Sequence, residues 1–216
     1  MLKNQIISSW LDLLFPPLCA LCKQREKNLL CSDCQEWLSP PDPKIRCRHC
    51  FAEMESSAPL CNRCIRSPQL AAPRAYLFED SPVANAWRAL LLQDEALAQI
   101  AASLLVFQWG RLEWPLPDRI VVVPAPGKTG QLRTIGESAA AFLGKPLTRE
   151  FCLQWVSFFE WRLQRSQEDL LEGLSLLLID FEGNANWLSQ ALSELWPAYP
   201  KEVRILSLFA EKSEEE

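Results

Sequence analysis

Eight cysteines stand in four Cys-x-x-Cys pairs within 46 residues: Cys19 and Cys22, Cys31 and Cys34, Cys47 and Cys50, Cys61 and Cys64. Each such knuckle presents two thiolates to one ion, and two knuckles complete a tetrahedral all-sulfur shell. Thiolates without carboxylate or histidine partners favour zinc, with iron as the alternative in protein prepared without oxygen. Four sulfurs close the shell and leave no open position for a substrate, so two structural zinc ions are expected. Redox or disulfide chemistry is the competing use of these pairs. Closure in chain order needs the shorter loops and is the expected grouping; interleaved closure is the alternative. His49, inside a knuckle, reads as a surface residue, and Cys152, alone among apolar neighbours, as a core residue.

A second stretch with chemical potential runs from Leu174 to Leu192. Leu174 to Ile179 is an apolar run of the length of a strand buried on both faces. Asp180 closes it, a turn passes through Gly183, and Asn184 is placed to cap a helix carrying Trp187, Leu188, Ala191, Leu192 and Leu195. A buried strand that ends in an acid and turns into a helix is where open α/β sheets bind ligands.

The elements that must position these residues follow from periodicity. Residues 4–15 put Ile7, Trp10, Leu11, Leu14 and Phe15 on one face of a first helix, ended by Pro16-Pro17. The two cysteine units form a short tandem repeat joined through Ser39 to Pro43. Ser67 to Pro73 reads as a linker. Strands are expected at Arg74 to Phe78, Arg119 to Val123, Leu174 to Ile179 and Val203 to Phe209. Two helices follow Ser81-Pro82, broken near Gln93-Asp94, and another runs from Ile135 to Leu143 after a flexible turn at Gly127 to Gly130. Phe151 to Leu163 is aromatic-rich and reads as either helix or irregular hood. Residues 211–216 read as a solvated acidic tail. Strand–helix alternation after residue 74 predicts an α/β fold with a mainly parallel sheet.

The chain carries 22 Lys and Arg against 27 Asp and Glu, a formal charge of −5, which excludes a protein coated in basic residues. Residues 1–75 hold ten cations against seven acids, so any basic surface belongs to the cysteine-rich part. There Arg46, Arg48, Arg63 and Arg66 cluster around the second unit as candidate phosphate contacts, with plain solvated charge as the alternative. No segment reaches the roughly 18 apolar residues that a membrane span needs. The first helix lacks a cleavage site, so a cytoplasmic location with reduced cysteines is expected.

An apolar first helix, Leu14-Phe-Pro-Pro-Leu-Cys19, a double zinc ribbon and then an α/β domain together resemble the ComF family, phosphoribosyltransferase-like proteins linked to DNA uptake in natural transformation. The resemblance implies a zinc-ribbon part over residues 1–72. It implies a type I phosphoribosyltransferase-like domain over 73–216, with helices on both faces of its sheet. It also implies single-stranded DNA and uptake or recombination proteins as partners.

In that family two adjacent acids meet the ribose hydroxyls of phosphoribosyl pyrophosphate, often with Mg²⁺, and a hydroxyl-rich loop cradles the 5-phosphate at a helix N-terminus. Here Asp180 matches the first acid, but Phe181 replaces the second, and Asn184-Ala185-Asn186-Trp187-Leu188 replaces the loop. Pro124-Ala-Pro126 is kept with Lys128 and Arg133, yet Thr134-Ile135-Gly136-Glu137 departs from the pattern, as does the position near Leu91 where a lysine is usual. The expectation is an impaired catalyst: Asp180 as the remaining catalytic acid, and Gly183, Asn184, Lys128 and Arg133 as a residual phosphate or pyrophosphate site. Mg²⁺ and phosphoribosyl pyrophosphate enter only if activity survives. An active transferase and a zinc-ribbon protein-interaction module are the alternatives.

Overall fold

The computed structural model describes residues 18–19, 21–28, 30–55, 58–68, 70–91, 93, 95–123, 129–147, 154–157, 160–162 and 171–211. The expected first helix, the Pro124 to Lys128 segment and Cys152 lie outside these residues.

The tandem repeat read from the cysteines is a repeat of backbone conformation. In the first unit Cys19 N–H donates to Gln24 O and Lys23 N–H to Cys19 O; in the second Cys47 N–H donates to Ala52 O and Phe51 N–H to Cys47 O. Lys23 and Phe51, each directly after the second cysteine of a knuckle, take left-handed φ values of 61° and 63°. Isolated bridges Leu18–Arg25 and Arg46–Glu53 close the two knuckles alike. A short helix then carries each second pair, α1 at Ser32–Trp37 and α2 at Asn62–Arg66.

The chain continues through β1 (Arg74–Phe78), α3 (Pro82–Leu91), α4 (Glu95–Arg111), β2 (Arg119–Val122) and α5 (Thr129–Leu143). It ends with β3 (Gln154–Ser157), β4 (Glu160–Arg162), β5 (Ser175–Asp180), α6 (Ala185–Leu195) and β6 (Glu202–Phe209). Ser81 Oγ caps α3 by accepting from Ala84 N–H at 3.1 Å. Four strands form one parallel sheet in the order β1-β6-β5-β2, while β3 and β4 pair antiparallel by themselves. The architecture is therefore α/β with a four-stranded parallel sheet, as the alternation predicts. No helix among the described residues is long and apolar enough to cross a membrane.

All six residues of β5 are buried because helices cover both sides of the sheet. Leu177, Ile179, Leu206 and Leu208 face a core shared with Trp87, Leu91, Leu105 and Ile135. Leu176, Leu178, Val203 and Ile205 face Leu188, Leu192 and Leu195 of α6. Gly136 lets α5 lie tight on the sheet: a Cβ there would sit 2.3 Å from Val122 Cγ2.

Three expectations change. Of the turn expected at Gly127 to Gly130, Thr129 and Gly130 belong to α5, and residues 127–128 lie outside the described ones. Within Phe151 to Leu163 the described residues form the antiparallel β3–β4 pair, strand being the conformation that aromatic and β-branched residues favour. The linker is not a free tether, since Leu70 and Ala72 are buried in the α6-side core.

The zinc-binding part and the sheet share a core: Leu30, Leu38 and Phe51 pack in one cluster with Ala75 and Leu77. Polar contacts fix the joint. Gln108, fully buried on α4, donates to Pro41 O at 2.9 Å, and Arg111 donates to Pro40 O at 2.9 Å. Arg46 is the central pin. It is 8% exposed, donates to the Tyr76 hydroxyl at 2.9 Å, pairs with Glu79, and lies over the Phe51 and Tyr76 rings. The reading of Arg46 as a phosphate contact is thereby corrected: its guanidinium is spent on holding the second cysteine unit against β1.

Candidate functional site

The eight paired cysteines gather into two clusters, Cys19, Cys22, Cys31 and Cys34, then Cys47, Cys50, Cys61 and Cys64, with all sulfurs of a cluster within 4.8 Å of one another. Grouping follows chain order. Sulfur–sulfur distances of 3.6 Å between Cys22 and Cys31 and 3.7 Å between Cys50 and Cys61 are far too long for disulfides. They match the ~3.8 Å edge of a tetrahedron whose corners lie ~2.3 Å from a central ion. The two four-cysteine sites thus fit two structural zinc ions.

Backbone amides prepare both sites. The third cysteine of each donates its N–H to the first sulfur, Cys31 to Cys19 at 3.4 Å and Cys61 to Cys47 at 3.3 Å. Burial opposes ionisation of Cys19 and Cys47. The N–H groups of Cys22, Cys31 and Leu21 around one, and of Cys50, Cys61 and His49 around the other, bring both thiols down to about 6. Each site therefore offers a thiolate to an incoming ion at neutral pH. Burial and the neighbouring cysteines push Cys34 and Cys64 up, so binding metal must displace their protons. His49 is no ligand and not simply a surface residue. Its Nε2 meets Leu70 O at 2.9 Å and its carbonyl accepts from Arg74 N–H, which ties the second knuckle to the start of β1.

At the end of β5 the second candidate site is built and filled by the chain itself. Asp180 is 3% exposed and accepts from Gly183 N–H at 2.5 Å. Asn184 Oδ1 accepts from Trp187 N–H at 3.0 Å, and Glu211 Oε1 accepts from Ala185 N–H at 3.1 Å. The amides at 183, 185 and 187 are those an anion at this helix N-terminus would use, and side-chain oxygens already hold them. Arg74 braces the arrangement, donating to Gly183 O at 3.2 Å and lying 3.7 Å from Glu211. Gly183 is required here: its φ is 64° and a Cβ would meet Phe209 O at 2.9 Å.

Phe181, at the second-acid position, is fully buried against Phe209, with ring centroids 5.3 Å apart. Burial lifts the Asp180 carboxyl to about 6, against the N–H groups of Gly183 and Phe181 that favour its charged form, and Glu182 raises it further.

The other expected site residues are dispersed. Arg133 is exposed on α5 and pairs with Glu137 at 3.1 Å, and Lys128 lies outside the described residues. Arg48, Arg63 and Arg66 are exposed on the second cysteine unit, while Arg46 is not. Sequence reasoning missed Glu211, taken as part of a solvated tail, and Arg88. The latter is buried on α3 and stacks over the Phe209 ring at 4.6 Å, with no acceptor for its Nε and Nη2 among the described residues. Neither has a local sequence signal, since both depend on residues far along the chain.

Comparison with known families agrees with the first site alone: residues 10–65 match the double zinc ribbon domain. Among curated proteins, none matches the chain.

Two measurements check these sites. Purified protein is expected to hold about two zinc ions by elemental analysis, and Cys47→Ser about one; an unchanged count in the variant contradicts Cys47 as a ligand. For Asp180, the folded carboxyl titrates near 6 and the unfolded one near ~4. The native state therefore holds the proton more tightly, and the contribution to stability is full below ~4 and lost as pH rises through about 6. Asp180→Asn keeps an acceptor for Gly183 and removes the titration. The wild type should lose stability relative to this variant between pH ~4 and ~7 in urea melts, acid release of zinc being common to both. Parallel pH profiles contradict the buried carboxyl.

Proposed function

We propose that the chain is a ComF-like protein in which a phosphoribosyltransferase-like α/β scaffold has lost catalysis and serves binding, with single-stranded DNA as ligand and DNA-uptake or recombination proteins as further partners. One observation carries the loss of catalysis: side-chain oxygens of Asp180, Asn184 and Glu211 occupy the amides of the turn after β5. A sugar phosphate entering there would have to displace two acids and an amide before it made a single hydrogen bond. Phe181, fully buried, offers nothing to ribose hydroxyls or Mg²⁺. Transfer chemistry needs both charge neutralisation and a positioned pyrophosphate, and this turn supplies neither.

The binding half of the proposal rests on charge. In a chain of net −5, exposed Arg48, Arg63 and Arg66 on the second cysteine unit are suited to a phosphate backbone. A protein-interaction module is the second reading, favoured by Trp37 on α1 at 69% exposure and Ile65 on α2 at 64%.

Phosphoribosyl pyrophosphate with Mg²⁺ is expected to leave the melting temperature unchanged, and a saturable stabilisation would restore the transferase reading.

A further inference from the structure

A cleft of about 670 Å³ opens where the second cysteine unit, the C-terminal end of α4 and the first halves of β1 and β6 meet. That volume lies within the roughly 300–1,000 Å³ usual for ligand sites. Its walls carry Lys44, Arg48, Arg111 and Arg204, together with the already engaged Arg46 and Arg74, against one acid, Glu113, with Trp114 beside them. Such a concentration of cations runs against a chain whose residues beyond position 75 are predominantly acidic. It joins positions 44, 48, 111 and 204, which no sequence motif links.

The cations differ in how they are held. Arg111 is anchored by Pro40 O and lies 3.3 Å from Asp42, and Arg204 lies over the Trp114 ring at 5.7 Å and bonds Glu202 at 2.9 Å. Both are fixed in direction before any ligand arrives, which lowers the ordering cost of binding. Lys44 and Arg48 are exposed, and among the described residues neither enters an ion pair. Trp114 is half-buried, packed against the core and with Arg204 over its ring.

Fixed cations, free cations and an indole in one concave surface match a phosphate backbone with unpaired bases: the backbone meets the charges and a base stacks on the ring. A duplex would keep its bases away from the ring, and a purely acidic peptide would have no use for it. We infer that this cleft is where the protein holds single-stranded nucleic acid, Lys44, Arg48 and Arg111 facing phosphates and Trp114 a base. The inference rests on the nucleic-acid reading above and assigns it a place distinct from Arg63 and Arg66. Glu113 then opposes the ligand's charge, so its removal must improve binding, a change that damage to the fold would not produce.

The test is fluorescence anisotropy of a labelled oligothymidylate with the zinc-loaded full chain, over a range of salt. Arg48→Glu should weaken binding about tenfold or more, and Arg48→Ala should lower the slope of log K against log salt by about 0.7. Trp114→Phe, which keeps a stacking face, should bind much better than Trp114→Ala, whose expected loss is about tenfold. Glu113→Gln should tighten binding about two- to fivefold. If Arg63→Glu with Arg66→Glu abolishes binding while Arg48→Glu and Glu113→Gln change nothing, the cleft is overturned and the nucleic-acid reading stands. Competition by free thymidine monophosphate as effective as by the oligonucleotide overturns it in favour of a small-ligand pocket. A wild type that fails to bind the oligonucleotide even at low salt removes the nucleic-acid reading and this inference together.

Discussion

A carboxyl group at 3% exposure must find its hydrogen bonds within the chain, and Asp180 finds one in the turn that it begins. That bond fixes Gly183 in a left-handed conformation over Phe209, which sets where α6 starts and which amides its first turn presents. Once the turn is set, Asn184 and Glu211 are in reach of the next amides, and Arg74 bridges Glu211 to the Gly183 carbonyl. The same geometry that makes a strand end a ligand site in other α/β proteins here becomes a cap. A helix N-terminus attracts negative charge whatever its source, and Glu211 supplies it from within.

The cysteine clusters solve a different problem. The described residues among 18–68 include few apolar side chains that are buried, too few to hold two knuckles and two short helices in place by packing alone. Metal coordination takes over the role of a core for each unit, and Lys23 and Phe51 can then be kept in backbone conformations that cost non-glycine residues about 1 kcal/mol. Phe51 repays this by packing edge-on against Tyr76 at 5.0 Å, so that the second knuckle also joins the sheet. Arg46, Phe51 and Tyr76 then form one stacked unit across the joint. The cleft exists because that joint holds the second cysteine unit at a fixed distance from the end of α4.

Much of this was legible where the signal is local. The β5–turn–α6 unit follows from an unbroken apolar run, an acid, a glycine and a capping asparagine within eleven residues of each other. The cysteine spacing likewise carries its own grouping, since loop closure favours near neighbours. What could not be read depends on partners distant in sequence. Arg46 looks like one of four equivalent arginines until Tyr76 and Glu79 are brought to it from the far side of the linker. Glu211 looks like the start of an acidic tail until β6 delivers it beside the first turn of α6. Helix α5 begins earlier than its apolar pattern, because its first turn is polar and glycine-containing and only the fold makes it helical.

The turn after β5 is capped from within, and a basic, tryptophan-bearing cleft opens beside the second cysteine unit, with Arg74 reaching from the lining of the cleft to the Gly183 carbonyl of the turn. Amide resonances of Gly183, Ala185 and Trp187 report the seal directly. In a nitrogen-15 correlation spectrum titrated with phosphoribosyl pyrophosphate and Mg²⁺, the account predicts that all three stay in place. Saturable movement of the three together would show a phosphate seated on the turn, and the account would be wrong.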